Sequence, residues 1–147
     1  MSLSSDLNAL FIRDLSRLKS ELEQYRTIDD LWKKSGSISN SGGNLVLHIV
    51  GNLRHFVGHV IGSSEYQRNR KHEFEGTGLS KKELLSLIDE TSTEVEYALL
   101  SLSDEKLQAP FPIEIMNRAW TNQEFLLHLY GHLNYHLGQI NYHRRGL

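Results

Sequence analysis

Apolar residues recur at spacings of three and four along four stretches of the chain. Leu3, Leu7, Leu10, Phe11, Leu15, Leu18, Leu22 and Tyr25 make the first, an amphipathic helix with a wide apolar face. A Ser/Gly-rich break, KSGSISNSGG (34–43), follows. The second helix is expected from about Ser41 to Ile61, with Leu45, Ile49, Leu53, Phe56 and Val60 on one side. Ser80 and Glu83 form a capping box that opens the third, whose stripe is Leu84, Ile88, Val95, Leu99 and Leu102. Thr121 and Glu124 form a second box, and Phe125, Leu129, Leu133 and Ile140 follow on the fourth helix. The best strand candidate, Phe111–Met116, has little alternation, follows Pro110 and contains Pro112, the only prolines. The pattern predicts an all-α protein built as a four-helix bundle. The linkers, at about 27–40, 63–79 and 104–120, exceed the two to eight residues usual in bundles, so a crossover connection is permitted.

Length and charge narrow the class. A chain of 147 residues is expected to form one domain, 1–147, with a core large enough to need no staples. The absence of cysteine excludes disulfides, zinc ribbons and thiol nucleophiles, and it fits a reducing cytoplasm. A formal charge of −2 gives no basic footprint for nucleic acid. No apolar run nears the roughly 20 residues that span a bilayer, and MSLSSDLNAL lacks the pattern of a signal peptide. The expectation is a cytoplasmic protein with no nucleic-acid or membrane partner.

Histidine is where the chemistry concentrates. Four of the eight histidines, His128, His132, His136 and His143, fall in the last helix. Residues four apart on a helix lie about 40° apart and one turn along, so His128/His132 or His132/His136 can converge on one ion. A pair needs a third ligand, and the second helix offers His48, His55 and His59 on one face with Asn52. His48 lies roughly 10 Å into its helix, and the His132/His136 midpoint roughly 15 Å from the end of the last helix, at 1.5 Å per residue. Antiparallel packing brings these to similar height, which favours His48 over His55 and His59. The plainer reading of His55, His59, His72 and His143 is a half-buried, hydrogen-bonded side chain. His128 is open between ligand, orienting group and packing residue. HExxH, ExxH and Gly-rich phosphate loops are all absent. The candidate site is all-histidine, with a coordination position left open.

Three segments carry a family resemblance: SGGNLVLHIVGNLRHFVGHVIGS (41–63), QRNRKHEF (67–74) and HLYGHLNYHLGQINYHRR (128–145). They resemble the DinB/YfiT-like superfamily of metal-dependent proteins, in a DinB-like branch of unknown function. The resemblance implies an up-down-down-up bundle with a long crossover between the second and third helices. It implies His48, His132 and His136 as ligands of Zn²⁺, Ni²⁺ or another first-row divalent ion, with Gly138 and Gln139 following, and His128 as a non-ligand. Arg68, Arg70, Glu73 and Phe74 match a loop pattern of the branch, and this charged loop reads as a solvated structural feature. Relatives include thiol-dependent S-transferases and proteins classed as hydrolases, so the implied partner is a small molecule such as a low-molecular-weight thiol. Tyr135, Asn52 and His128 are the neighbours considered for a general base. A non-catalytic metal-binding or ligand-sensing, stress-linked bundle is the alternative, and a metal-free structural bundle a third. Homodimerisation is expected from the long apolar faces of the first and fourth helices together with the resemblance.

Overall fold

The computed structural model describes residues 2–147. Each apolar stripe of the sequence becomes a long helix. Helix α1 spans Leu3–Glu23, opened by Ser2, whose hydroxyl accepts the N–H of Ser5. Helix α3 spans Gly42–Leu53 and runs without interruption into a π-helical segment, Arg54–Ile61. Helices α5 (Lys81–Leu100) and α7 (Asn122–Arg145) both begin with the capping boxes expected from sequence, each serine or threonine exchanging hydrogen bonds with the glutamate three residues on.

The connections hold three short helices that no periodicity window detects: α2 (Ile28–Trp32), α4 (Arg70–Glu75) and α6 (Asp104–Gln108). The chain is all-helical, with no named strand among the described residues. Residues 110–121 instead fold back in a loop held by isolated bridges between Pro110 and Thr121 and between Ile115 and Arg118. Its tip, Met116 and Asn117, takes positive φ, and Phe111 and Phe125 stack beneath it with centroids 4.4 Å apart. No helix among the described residues is long and apolar enough to cross a membrane.

The long helices share one core. Helix α1 packs on α5 and α7, and α3 packs on α5 and α7 from the other side. Phe11, Leu15, Leu18 and Leu22 of α1 are fully buried, as are Ile49, Ile88, Leu99 and Ile140 from the other three. Polar contacts give the direction of each pairing. Lys81, at the start of α5, bonds the carbonyls of Glu23, the last residue of α1, and of Tyr25 just beyond it, and Lys19 meets Asp89 at 2.7 Å, so α1 and α5 run oppositely. Asp14 meets Tyr130 and Glu21 meets Arg144, so α1 and α7 run together. Arg54 reaches Glu90 and Glu94, and Gly62 approaches Ala98 so closely that a Cβ on it would overlap; the α3–π segment therefore runs with α5.

One buried charge ties α1 to α7. Asp14 has no exposed side-chain surface and accepts bonds from Arg13 (2.9 Å), Arg17 (3.1 Å), Tyr130 (2.6 Å) and Asn134 (3.1 Å). Burial alone raises its pKa, but the bonds from Arg13, Tyr130 and Asn134 outweigh burial and hold it below the ordinary carboxylate value. Such a group stabilises the fold fully above its unfolded pKa, and the stabilisation is lost as pH falls through the lowered folded value. Asp14→Ala leaves the Tyr130 hydroxyl and Asn134 amide short of an acceptor and is expected to cost about 1–3 kcal/mol at pH 7. Urea unfolding at pH 7 and at pH 3 checks both points: the variant's deficit should shrink in acid.

Candidate metal centre

Every residue of α3 from Gly42 to Leu53 is buried, which makes it the central helix and forces its polar side chains to find partners. Asn44 finds three. Its Oδ1 accepts the Ser41 hydroxyl at 2.7 Å, and its Nδ2 donates to the carbonyls of Glu73 (3.1 Å) and Gly76 (2.9 Å). These bonds strap α4 against α3. The strap delivers the Glu73 carboxylate, 3% exposed, to His48 one turn further along.

His48 is 6% exposed and points at α7. Its Nδ1 lies 2.9 Å from Glu73 Oε1, while Arg68 grips the same carboxylate through Nε (2.8 Å) and Nη2 (2.9 Å). Burial works against a charged Glu73, but the bonds from Arg68 and His48 outweigh it and keep its pKa below the usual glutamate value. An ionised carboxylate only accepts, so His48 Nδ1 carries a proton, and in the neutral ring Nε2 then presents a lone pair. Phe74 packs on the ring face, 4.8 Å between centroids.

On α7, His132 and His136 present Nε2 to the same point. His48 Nε2 and His136 Nε2 each stand 3.1 Å from His132 Nε2, and the three ligand atoms lie within 4.8 Å of one another. His136 Nδ1 donates to Gln139 Oε1 at 2.7 Å, which again leaves its Nε2 unprotonated. Two lone pairs therefore face His132 Nε2, and a single proton there can satisfy only one of them. Burial, then the neighbouring His136, His48, His128 and Arg68, push the His132 pKa down to about 3. Burial, with His48, also lowers that of His136 against the opposing pull of Gln139. Neutral imidazoles with converging lone pairs are a donor set for a cation. Ligands tetrahedral about an ion at 2.0–2.1 Å stand about 3.3 Å apart, close to the two 3.1 Å separations here.

The other histidines fall elsewhere. His128 is exposed and stacks on Phe125 and Trp120, 5.7 and 5.3 Å between centroids, outside the cluster. His55 lies beside Phe56, and His59 bonds the Ser64 carbonyl, both on the π-helical segment. His143 is buried between the Tyr25 hydroxyl (2.7 Å) and the Lys33 carbonyl (2.8 Å), a structural role. His72 is exposed rather than half-buried. Tyr135, 64% exposed, touches only the edge of His136, with centroids 5.1 Å apart.

The solvated reading of the 68–74 loop needs correction. Glu73 is buried against His48 and draws the Arg68 side chain, 9% exposed, onto its carboxylate, because Asn44 pins α4 to the central helix; Arg70, like Asn69, Lys71 and His72, faces solvent, its guanidinium over Phe74. The sequence places Gln139 only as a residue following the histidine pair and does not mark Asn44. Gln139, three residues after His136 on one helix face, had a readable signal; Asn44 had none.

Residues 11–147 match the model of a family described as a protein of unknown function, DUF1572. The chain belongs to the DUF1572 family. No curated protein and no solved structure matches it. In this DUF1572 protein the match takes in α3, α4 and α7, and with them every residue of the cluster and its supports.

Glu73→Ala strands Arg68 in a buried position, and the expected cost is about 3–5 kcal/mol. It also frees His48 to change tautomer, which ¹⁵N NMR of the imidazole reads directly. Gly51→Ala acts on the same carboxylate from behind, since a Cβ there would overlap Glu73 Oε2. The expected loss is about 1–3 kcal/mol by urea unfolding.

Proposed function

We propose that this DUF1572 protein is a metal-dependent enzyme of the DinB-like superfamily, holding a first-row divalent ion, Zn²⁺, Ni²⁺ or a neighbour, on His48, His132 and His136. The observation that carries the reading is the convergence of three Nε2 atoms with two of the tautomers held by Glu73 and Gln139. Helix directions support the accompanying fold assignment: α1 runs with α7 and against α5, the order of an up-down-down-up four-helix bundle in one domain, 1–147. His48, His132 and His136 would hold the ion, and its Lewis acidity would serve to activate a thiol or a water at neutral pH. The reaction class proposed is S-transfer with a low-molecular-weight thiol, or hydrolysis, on a small molecule in the cytoplasm. A cavity of about 380 Å³, walled by Leu45, Gln139, Tyr142 and the 37–40 segment, lies on the Gln139 side of the cluster and is lined by none of its three histidines. Homodimerisation belongs to the same proposal. The apolar stripe of α1 is used in the chain's own core, so the surface left for a second copy is the exposed part of α7 with Leu127, Tyr135 and Tyr142.

One observation favours the alternative of a non-catalytic metal-binding or sensing protein. Glu73, the carboxylate bonded to the cluster, is occupied by Arg68 and His48 and is not free to move protons. A screen of thiol-conjugation and ester substrates on metal-loaded protein, with the His132→Ala variant as control, separates the two. Turnover lost in the variant supports the enzyme; metal binding without turnover supports the sensor.

Alanine at His48, His132 or His136 should remove most bound metal after dialysis, whereas His59→Ala should retain it, as measured by elemental analysis. Full stoichiometry in His132→Ala would sink the site.

Binding only to the native state adds about 2.7 kcal/mol at a hundredfold excess over Kd. The four helices bury a continuous core without an ion, so the chelated protein should melt lower yet remain cooperative. Acid sensitivity follows from His132. In the unfolded chain it protonates near 6.5, but in the fold only near 3, so the unfolded state binds more protons between those values. The metal-free fold therefore loses stability as pH falls from about 6.5 towards 3, which denaturant midpoints across that range will show.

A further inference from the structure

Asn52 lies one turn beyond His48 on the buried central helix and is 6% exposed. Its Oδ1 is buried without a hydrogen-bond partner among the described residues. The fold does satisfy amides on this helix: Asn44, two turns earlier, has its side chain fully engaged by Ser41, Glu73 and Gly76. The other two buried side-chain acceptors without partners, on Asn8 and Asn122, belong to residues only partly buried and remote from the histidines. An unmet acceptor at this depth is destabilising, and it stands one turn from the three-histidine cluster.

Register places the amide in the groove between α3 and α7. His48, one turn before, meets His132 at 3.1 Å, and Phe56, one turn after, packs on Phe125 of α7 with centroids 5.1 Å apart. Asn52 is bracketed by these contacts and so faces α7 at the level of His128 and Leu129. Arg68 spans the same stretch, bonded at one end to the Glu73 carboxylate that holds His48 and lying 5.6 Å from the Phe56 ring centre. The Asn52 acceptor thus lies in the α3–α7 groove between the cluster and Phe56, with Arg68 and His128 at the same level.

We propose that Asn52 is the recognition residue of the three-histidine centre, its Oδ1 accepting a hydrogen bond from an N–H or O–H that the bound small molecule carries next to its metal-binding atom. This rests on the metal reading above and narrows the ligand to a protic chelator, as opposed to a pure acceptor anion. A group held for the fold would have been given a protein partner, as Asn44 was. Asn52 instead keeps its acceptor for something that arrives.

The test uses Co²⁺-loaded protein and two probes, acetohydroxamic acid and its N-methyl analogue, which differ at the N–H. Cobalt content is measured first, and binding is read from the visible spectrum. Wild type should bind the N–H compound about tenfold more tightly than the methylated one, the value of one hydrogen bond. Asn52→Leu should erase that preference while keeping its cobalt, and Asn52→Ala repeats the test should leucine not pack. In metal-free protein Asn52→Leu should raise the unfolding midpoint, since it removes a buried acceptor with no partner. Equal affinities in cobalt-loaded wild type overturn the Asn52 inference alone. A lowered metal-free midpoint in both variants also overturns it, because the amide is then held by structural water. Failure of wild type to retain cobalt overturns the metal reading and this inference with it.

Discussion

The Glu73 carboxylate is the interaction on which the centre of this molecule depends. A buried anion persists only when its lone pairs are filled; Arg68 bonds both oxygens, and His48 shares Oε1 with it. Each partner then constrains further sequence. Asn44 must hold the α4 backbone against α3 for Glu73 to reach His48. Position 51 must lack a Cβ, because the carboxylate occupies the space a Cβ would take. Phe74, the next residue, closes over the imidazole that Glu73 orients. A short helix in a crossover connection thereby becomes part of the centre, and its charge sets which histidine nitrogen faces the partner helix.

The cluster that results is poorly satisfied by protein alone. Two imidazole lone pairs converge on a third nitrogen that carries at most one proton, and Asn52 adds an acceptor without a donor. Local rules are broken here at a stability cost that other parts of the structure offset, which is the usual mark of a functional site. The compensation is spatially separate. The Asp14 network joins α1 to α7, and Glu21 holds Asn141 and Arg144 one to two turns further along. Arg54, bridging to Glu90 and Glu94, anchors the π-helical segment to α5. None of these groups bonds the histidine cluster, so the frame can remain ordered whether or not the centre holds a cation.

Much of this frame was legible in the chain. Spacings of three and four marked the long helices, because an amphipathic helix records its buried face locally, within a few turns. The two capping boxes marked the starts of α5 and α7 for the same reason, since their bonds close over three residues. The i,i+4 pair His132/His136 and the similar height of His48 also follow from helix rise alone, once antiparallel packing is granted.

Tertiary structure decided the rest. The short helices α2, α4 and α6 have five or six residues, too few to display a period, and they are held by contacts to other elements. The widening of the second helix into a π-helical segment leaves no compositional trace, and its contacts, Arg54 to Glu94 and the following Gly62 to Ala98, lie across the gap to α5. His143 and His128 sit on one helix, and spacing does not show which is enclosed, yet one is held by Tyr25 and Lys33 and the other faces solvent. Glu73 looks in sequence like any acid in a charged loop; only the strap from Asn44, 29 residues earlier, takes it out of water and onto His48. Helical periodicity carries information along one element, whereas the partner of a buried charge lies across the gap between elements, where only the packed structure records it.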